Sequence, residues 1–468
     1  MNAIDLTAAL TNPTALALTK ERIAITTEAA RRAGSHLASA AHRPVFPPAE
    51  ALAALDAFRR PLQDGPLPAH EVLAELDAFG SPASVVSTHG RYFGFVNGGT
   101  LPAAAGAAIL AGAWDNNAGP SVCAPASAVL DEVAGRWIVD VLGLPSTAVA
   151  SFCAGATVAN LTAIIAARDA ILARSGWDVG ELGLAGAPAV RVVIGAEAHT
   201  SVVKALRLAG FGEAQIERVP TDEVGAIDAD AFPETDELTL VVLQAGNVNT
   251  GASDPFERII PSAREASSWV HVDGAFGLWA AASPTRRRLV AGVELADSWA
   301  TDGHKWLNVP YDSGIVIVRE VEHLTRAMRA DASYLVSGQG LEPLSRGIQM
   351  SQRGRGVEAW AALASLGRHG LADLIDRTCD HAARFARLLA EGGAEILAQE
   401  LNQVLVSFGD LTDAVIAAVQ AEGTCWAGGS TWHGRRAMRI SVSDAATTRD
   451  DVEVSARAIL HALRSLGS

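Results

Sequence analysis

The stretch "RVVIGAEAHTSVVKALRLAG", residues 191–210, packs a whole structural unit into one short run. A continuous β-branched segment, "RVVIG", gives way to a polar turn and then to the helical pattern "TSVVKALRLAG". The same β-branched runs recur as "LTLVVLQ" at 238, "SWVHVD" at 268 and "GIVIVR" at 314, with helical stretches such as "TVANLTAIIAARDAILARSG" between runs of this kind. A strand that alternates polar and apolar residues has one wet face; one that is apolar throughout is covered on both. Strands of the second kind separated by helices predict an α/β fold around a parallel-rich sheet with helices on both faces.

Outward from this core the pattern changes twice. Residues 1–85 carry helical patterns broken by proline, as in "HRPVFPPAEALAALDAF", and predict a helical segment without a sheet of its own. Residues 86–365 form the large domain. Residues 366–468 mix helices with the strands "NQVLVSF" and "AMRISVS", an α+β pattern that predicts a smaller C-terminal domain. A chain of 468 residues accommodates such a division.

The bulk properties exclude some partners. A net charge of -15 argues against nucleic acid or an anionic membrane as a partner, because either needs a basic face. The N-terminus "MNAIDLTAALTNP" lacks the features of a signal peptide. The longest apolar run, "LPAAAGAAILAGAW" at 101–114, is too short to span a bilayer and is expected as a buried core helix. Cys123, Cys153, Cys379 and Cys425 are scattered, which fits reduced thiols in a cytoplasmic protein better than a disulfide framework or a metal site.

In open parallel sheets, ligands bind beyond the carboxyl ends of the strands, so the polar residues at those ends carry the functional information. "SFCAGATVANLTAIIAAR" places Gly155, Ala156 and Thr157 where a helix begins; small residues there let backbone N–H groups and a hydroxyl meet an anion. "VHVDGAFG" puts Asp273 at the end of a buried strand, where a carboxylate can hold the proton of a heteroaromatic nitrogen. His199 follows "RVVIG" and can lie flat against a planar ligand. Lys305, in "SWATDGHKWLNVPYDSG" at 298–314, sits between His304 and Trp306 near strands that read as buried, a setting for a Schiff-base amine. Each has a plainer reading alone: a helix cap, a salt bridge, a capping histidine, a surface lysine. Together they supply what pyridoxal 5'-phosphate needs, namely N–H donors for the phosphate, a face for the ring, a carboxylate for its nitrogen and an amine for its aldehyde. The glycine fingerprint of a dinucleotide-binding dehydrogenase is missing.

At these residues the sequence resembles the pyridoxal-phosphate-dependent group II amino-acid decarboxylases, which include the aromatic-L-amino-acid, tyrosine and glutamate decarboxylases. The resemblance runs from about 80 to 465. "TDGHKWLNVPYDSGIVIV" is similar to the family's lysine motif, which makes Lys305 the cofactor lysine with His304 beside it. "HVDGAFG" is similar to the segment carrying the pyridine-nitrogen partner, here Asp273, with Ala275 under the ring. "GAEAHTSVVKA" resembles the segment of the ring-stacking histidine, His199. "GATVANLTA" implies phosphate contacts at Ala156 and Thr157, and "LQAGNVNTGASDP" implies Asn247 near the cofactor. "RYFGFVNGGTLPAAAG" resembles an aromatic-rich stretch lining the substrate pocket, so Phe93 and Phe95 are pocket candidates, with core packing as their alternative.

The resemblance implies the aspartate-aminotransferase type of fold (fold type I), a homodimer with active sites at the subunit interface, and an N-terminal segment packed on the partner. It also implies decarboxylation of an L-amino acid, with aromatic residues and few charges in the pocket segments favouring an aromatic or apolar substrate. Two departures stand out. In aromatic-amino-acid members a loop tyrosine protonates the carbanion left by CO2 loss. Here Leu341, Glu342 and Pro343 stand about where it would fall, and Tyr334 better matches an earlier tyrosine. Val158 replaces a glutamate common among relatives. Aldehyde-forming decarboxylation, carbon–carbon lysis, transamination and a non-catalytic module of the same fold therefore remain open as alternatives.

Overall fold

The computed structural model describes residues 12–329 and 342–467, so Tyr334 and Leu341 lie outside it. Its centre is a seven-stranded sheet. In chain order the strands are β1 (Val149–Cys153), β2 (Arg191–Gly195), β3 (Ile216–Val219), β4 (Thr239–Gln244), β5 (Trp269–Asp273), β6 (Ser298–Asp302) and β7 (Gly314–Val318). Across the sheet they run β1-β7-β6-β5-β4-β2-β3. The pairs β3/β2, β2/β4, β4/β5 and β5/β6 are parallel; β7 is antiparallel to both its neighbours.

The apolar strands are covered on both faces. On β2, Val193 joins one buried cluster with Val241 and Val270, while Val192 and Ile194 join the cluster on the opposite face with Leu240 and Val242. That alternation is the strand period acting on a wholly apolar sequence. The helix Ala156–Arg174 packs on this second face; it is long and apolar enough to cross a membrane, but most of it is buried against the sheet.

Two strands are not evident as apolar runs. β6 reads "SWATD", yet all of its residues are buried, and β3 reads "IERV" at the sheet edge. β6 is recognisable as a strand only from its pairing with β5 and β7.

A second, four-stranded antiparallel sheet, in the order β10-β11-β9-β8, is built from β8 (Glu395–Glu400), β9 (Gln403–Ser407), β10 (Gly428–Trp432) and β11 (Arg435–Ser441). The helices Thr412–Glu422 and Arg449–Gly467 pack with it. Two helices joined end to end span Gly356–Glu391 and lead from the large sheet to the small one; the break falls at Gly367, whose φ of 59° is not helical. The chain at 92–93 also belongs to the small sheet's surroundings: the Phe93 N–H donates to the Trp426 carbonyl, and the Ser441 N–H donates to the Phe93 carbonyl.

The helix Pro102–Trp114 corrects an expectation. It is apolar but not buried, since only Ala104 is inaccessible while Ile109, Leu110 and Trp114 are exposed. The helices Pro13–Ala40 and Ala69–Ala83, which form no sheet, expose Leu37, Val72 and Leu76 nearby. Together these elements line an open apolar groove containing Leu37, Leu73, Leu76, Ala105 and Ile109. Composition alone cannot tell an apolar helix covered by its own chain from one left uncovered.

Candidate active site

The parallel strands end side by side. Gln244, last in β4, stands opposite Asp273, last in β5, and β6 beside them ends at Asp302. Beyond these ends lies a small, partly open cavity lined by His199, Gln244, Gly246, Val248, Asp273, Ala275, Phe276 and Lys305. The structure thus brings His199, Asp273, Ala275 and Lys305 together from separate strand ends, as a carboxyl-edge site requires.

Lys305 reaches the cavity from the turn after β6. Its Nζ lies 3.1 Å from Asp302 Oδ2. Asp302 is almost wholly buried, and its Oδ1 accepts the N–H of Ala156 at 2.6 Å. The segment after residue 97 lies directly over the lysine backbone: a Cβ on Gly98 would fall 1.8 Å from the Lys305 carbonyl oxygen.

Asp273 is 3% exposed. Its Oδ1 accepts the Ala275 N–H at 3.2 Å. Burial pushes this carboxyl above its ordinary range, against the pull of His199, Lys305 and Asn160. A buried carboxylate is tolerated when a cation or N–H donor meets it.

His199 caps the helix Thr200–Leu208, its Nδ1 accepting the Ser201 N–H at 3.3 Å and lying 2.7 Å from Ser201 Oγ. Burial, helped by Lys305 and Arg439 and opposed by Asp273, holds the imidazole below its usual range, so it is neutral near pH 7. Its Nδ1 accepts, so the proton sits on Nε2.

His304 is also held down, chiefly by burial. Its Nδ1 accepts the Ser313 N–H at 3.0 Å, its Nε2 is 3.6 Å from Asp302 Oδ2, and its ring stacks on Tyr311 with centroids 4.2 Å apart.

The expected anion loop is at the start of the Ala156–Arg174 helix, where the hydrogen bond from Ala156 goes to Asp302. No hydrogen bond to the N–H or hydroxyl of Thr157 is present among the described residues. Gly155 packs under His304: a Cβ there would lie 3.3 Å from His304 Cε1. The residues present therefore fit pyridoxal phosphate. A helix start offers donors, a buried carboxyl opens toward the cavity, a neutral imidazole lines it, and an amine enters it.

Three expected residues do not line this cavity. Asn247 is buried, but its Oδ1 accepts the N–H of Asn249 at 2.9 Å within its own turn, while its neighbours Gly246 and Val248 line the cavity. Phe93 is not a pocket residue: it is 1% exposed and meets Phe385 edge-on in the core of the small sheet. Phe95 points outward and stacks on Trp426. Residues two apart on a straight strand would share a face, but the chain turns here, with left-handed φ values of 54° at Phe95 and 58° at Val96, and the turn parts the two rings.

Other residues at the site were not singled out from sequence. Asp302 lies three positions before Lys305, and Asn160 four positions after Ala156, one helical turn along the same face. His271, two positions before Asp273, completes a buried chain: His271 Nε2 is 2.9 Å from Asn160 Oδ1, and His271 Nδ1 is 2.9 Å from Ser298 Oγ. The i+4 spacing and the strand alternation were the available signals.

Comparison with known proteins places this arrangement. A family model described as "Pyridoxal-dependent decarboxylase conserved domain" matches residues 63–410. An aromatic-L-amino-acid decarboxylase of Bacillus atrophaeus is 30% identical over 255 residues, 52% of this chain and 51% of that protein. Tryptophan decarboxylase 1 of Oryza sativa subsp. japonica is 28% identical over 306 residues, 59% of this chain and 58% of the relative. The chain thus matches a little over half the length of these curated relatives. A crystal structure of Oryza sativa TDC with PLP and tryptamine superposes with a TM-score of 0.87 at 22% identity, covering 96% of this chain and 99% of that one, a likeness of fold.

Proposed function

This chain belongs to the pyridoxal-dependent decarboxylase family, and from that premise we propose that it removes the α-carboxylate of an L-amino acid as CO2 and releases the amine. The observation that carries this reading is the convergence of Lys305, Asp273 and His199, from beyond the carboxyl ends of β6, β5 and β2, on one cavity.

Pyridoxal phosphate, when bound, supplies an electron sink for the pair left on Cα as the carboxylate departs. The chain's own residues do the rest. Lys305 is the amine that would hold the cofactor's aldehyde carbon, and Asp302, 3.1 Å away, fixes the side chain. Asp273 would hold the proton on the ring nitrogen, and Ala275 lies beside it. Thr157 and the N–H groups of its helix start would take the phosphate. His199 would lie against the ring as a neutral imidazole, with Nε2–H available to hold a carboxylate oxygen or pass a proton.

The charged groups of the lining, Asp273 and Lys305, are those the cofactor would engage, and the apolar Val248 and Phe276 beside them support an aromatic or apolar substrate. A second copy of the chain is the proposed cover for the apolar groove between the N-terminal helices and the Pro102–Trp114 helix.

A second reading, decarboxylation with aldehyde formation, is favoured by one observation. Glu342, near the expected position of the loop tyrosine, is tied to Ser121, accepting its N–H at 2.8 Å and its hydroxyl at 2.7 Å. Incubation with a panel of L-amino acids, assaying CO2, amine, aldehyde and ammonia, separates the readings. Equal CO2 and amine supports simple decarboxylation. Aldehyde and ammonia with CO2 supports the second reading, and a keto acid without CO2 overturns both. Borohydride reduction followed by peptide mapping should place the cofactor label on Lys305.

A further inference from the structure

Asn160, on the helix Ala156–Arg174, is fully buried, and its Nδ2 meets no acceptor at hydrogen-bonding distance. One set of proton positions satisfies its surroundings with the amide oxygen on His271. The Trp269 indole N–H donates to Ser298 Oγ at 2.9 Å. Indole nitrogen is a donor only, so the serine oxygen accepts here and keeps its own proton to give. The next partner is His271 Nδ1, at 2.9 Å. Burial holds His271 down to about 3, so the ring is neutral and carries one N–H. With Nδ1 accepting, that N–H is on Nε2, which donates to Asn160 Oδ1 at 2.9 Å. His271 and Asp273 are two apart on β5 and share a face, so the amide held by His271 has its nitrogen on the Asp273 side, and it favours that carboxyl's ionised form. The reverse orientation would set the amide oxygen against a carboxylate.

We propose that Asn160 is a positioning residue: its amide, locked in orientation by the chain Trp269–Ser298–His271, holds the Asp273 carboxylate ready for the cofactor's ring nitrogen. This rests on the assignment of Asp273 to that nitrogen. All of these residues are buried, and the chain links the helix that starts the anion loop to the strand that ends in Asp273 and to β6, which precedes Lys305. Orphaned amide hydrogens in an interior are costly unless an acceptor reaches them. Asp273 is the neighbouring carboxyl whose ionised form this amide favours.

The test is the 15N shift of 15N-labelled pyridoxal phosphate bound to each variant, followed against pH, with cofactor affinity as a second readout. Asp273→Asn is the reference and loses ring-nitrogen protonation. Asn160→Leu, close in volume, and His271→Leu should lower the pH at which the nitrogen loses its proton by about one unit, a tenfold change. His271→Gln, whose amide N–H can replace Nε2–H, should restore wild-type behaviour. If Asp273→Asn shifts the nitrogen but Asn160→Leu and His271→Leu do not, the positioning role is wrong. If Asp273→Asn itself has no effect, the assignment of Asp273 fails instead. Should Asn160→Leu not fold, the contrast between His271→Leu and His271→Gln decides.

Discussion

Asp302 bridges the lysine and the anion loop: one carboxylate oxygen is 3.1 Å from Lys305 Nζ, and the other accepts the Ala156 N–H at 2.6 Å. A negative charge thus stands at the helix start that the cofactor phosphate would use. Asp302→Asn keeps an oxygen for Ala156 and removes the charge. Inorganic phosphate should then bind the cofactor-free protein about tenfold more tightly, about 1.4 kcal/mol. Titration calorimetry on both proteins measures it, and unchanged or weaker binding would remove Asp302 from the phosphate's surroundings.

His271 gives a pH prediction with a definite sign. Its folded value, about 3, lies below the ordinary 6.5 because burial disfavours the charged ring. Between these values the unfolded chain binds a proton that the folded chain does not. The contribution to stability is therefore complete above about pH 6.5 and is lost as pH falls toward 3, by up to about 1.4 kcal/mol per unit. His271→Gln does not titrate, so wild type should lose stability relative to it in urea unfolding between pH 6.5 and 4.5. A difference that stays constant over that window contradicts the prediction.

Gly98 allows the chain to lie against Lys305. A Cβ there would meet backbone, not a side-chain end that can swing away. Gly98→Ala should lower stability by about 1–3 kcal/mol or more and weaken cofactor binding, because the displaced atoms belong to the lysine's own peptide. A variant with normal thermal unfolding and cofactor absorbance would show that this contact relaxes cheaply.

The two phenylalanines should separate cleanly. Phe93, buried against Phe385, should cost about 3–5 kcal/mol as alanine. Phe95, 61% exposed on Trp426, should change stability by about 0.5 kcal/mol or less. Denaturant midpoints of the two variants check this; equal losses would mean that the outer stack matters as much as the core.

Local sequence was enough for the features with a short-range signature. Continuous apolar strands at 191, 238, 268 and 314 predict a sheet covered on both faces, and the polar residues at strand ends include Lys305, Asp273 and His199. Each of those signals is written in neighbouring residues, through strand alternation and the turn that follows. Tertiary structure decided the rest. "SWATD" becomes a central strand because β5 and β7 hydrogen-bond to it, and the apolar Pro102–Trp114 helix keeps an exposed face because, among the described residues, its packing leaves Ile109, Leu110 and Trp114 uncovered. Asn160 meets His271 across 111 positions, and Ala156 meets Asp302 across 146. Contacts of that separation depend on how strands and helices stack, and no local pattern encodes the direction from which a distant side chain arrives.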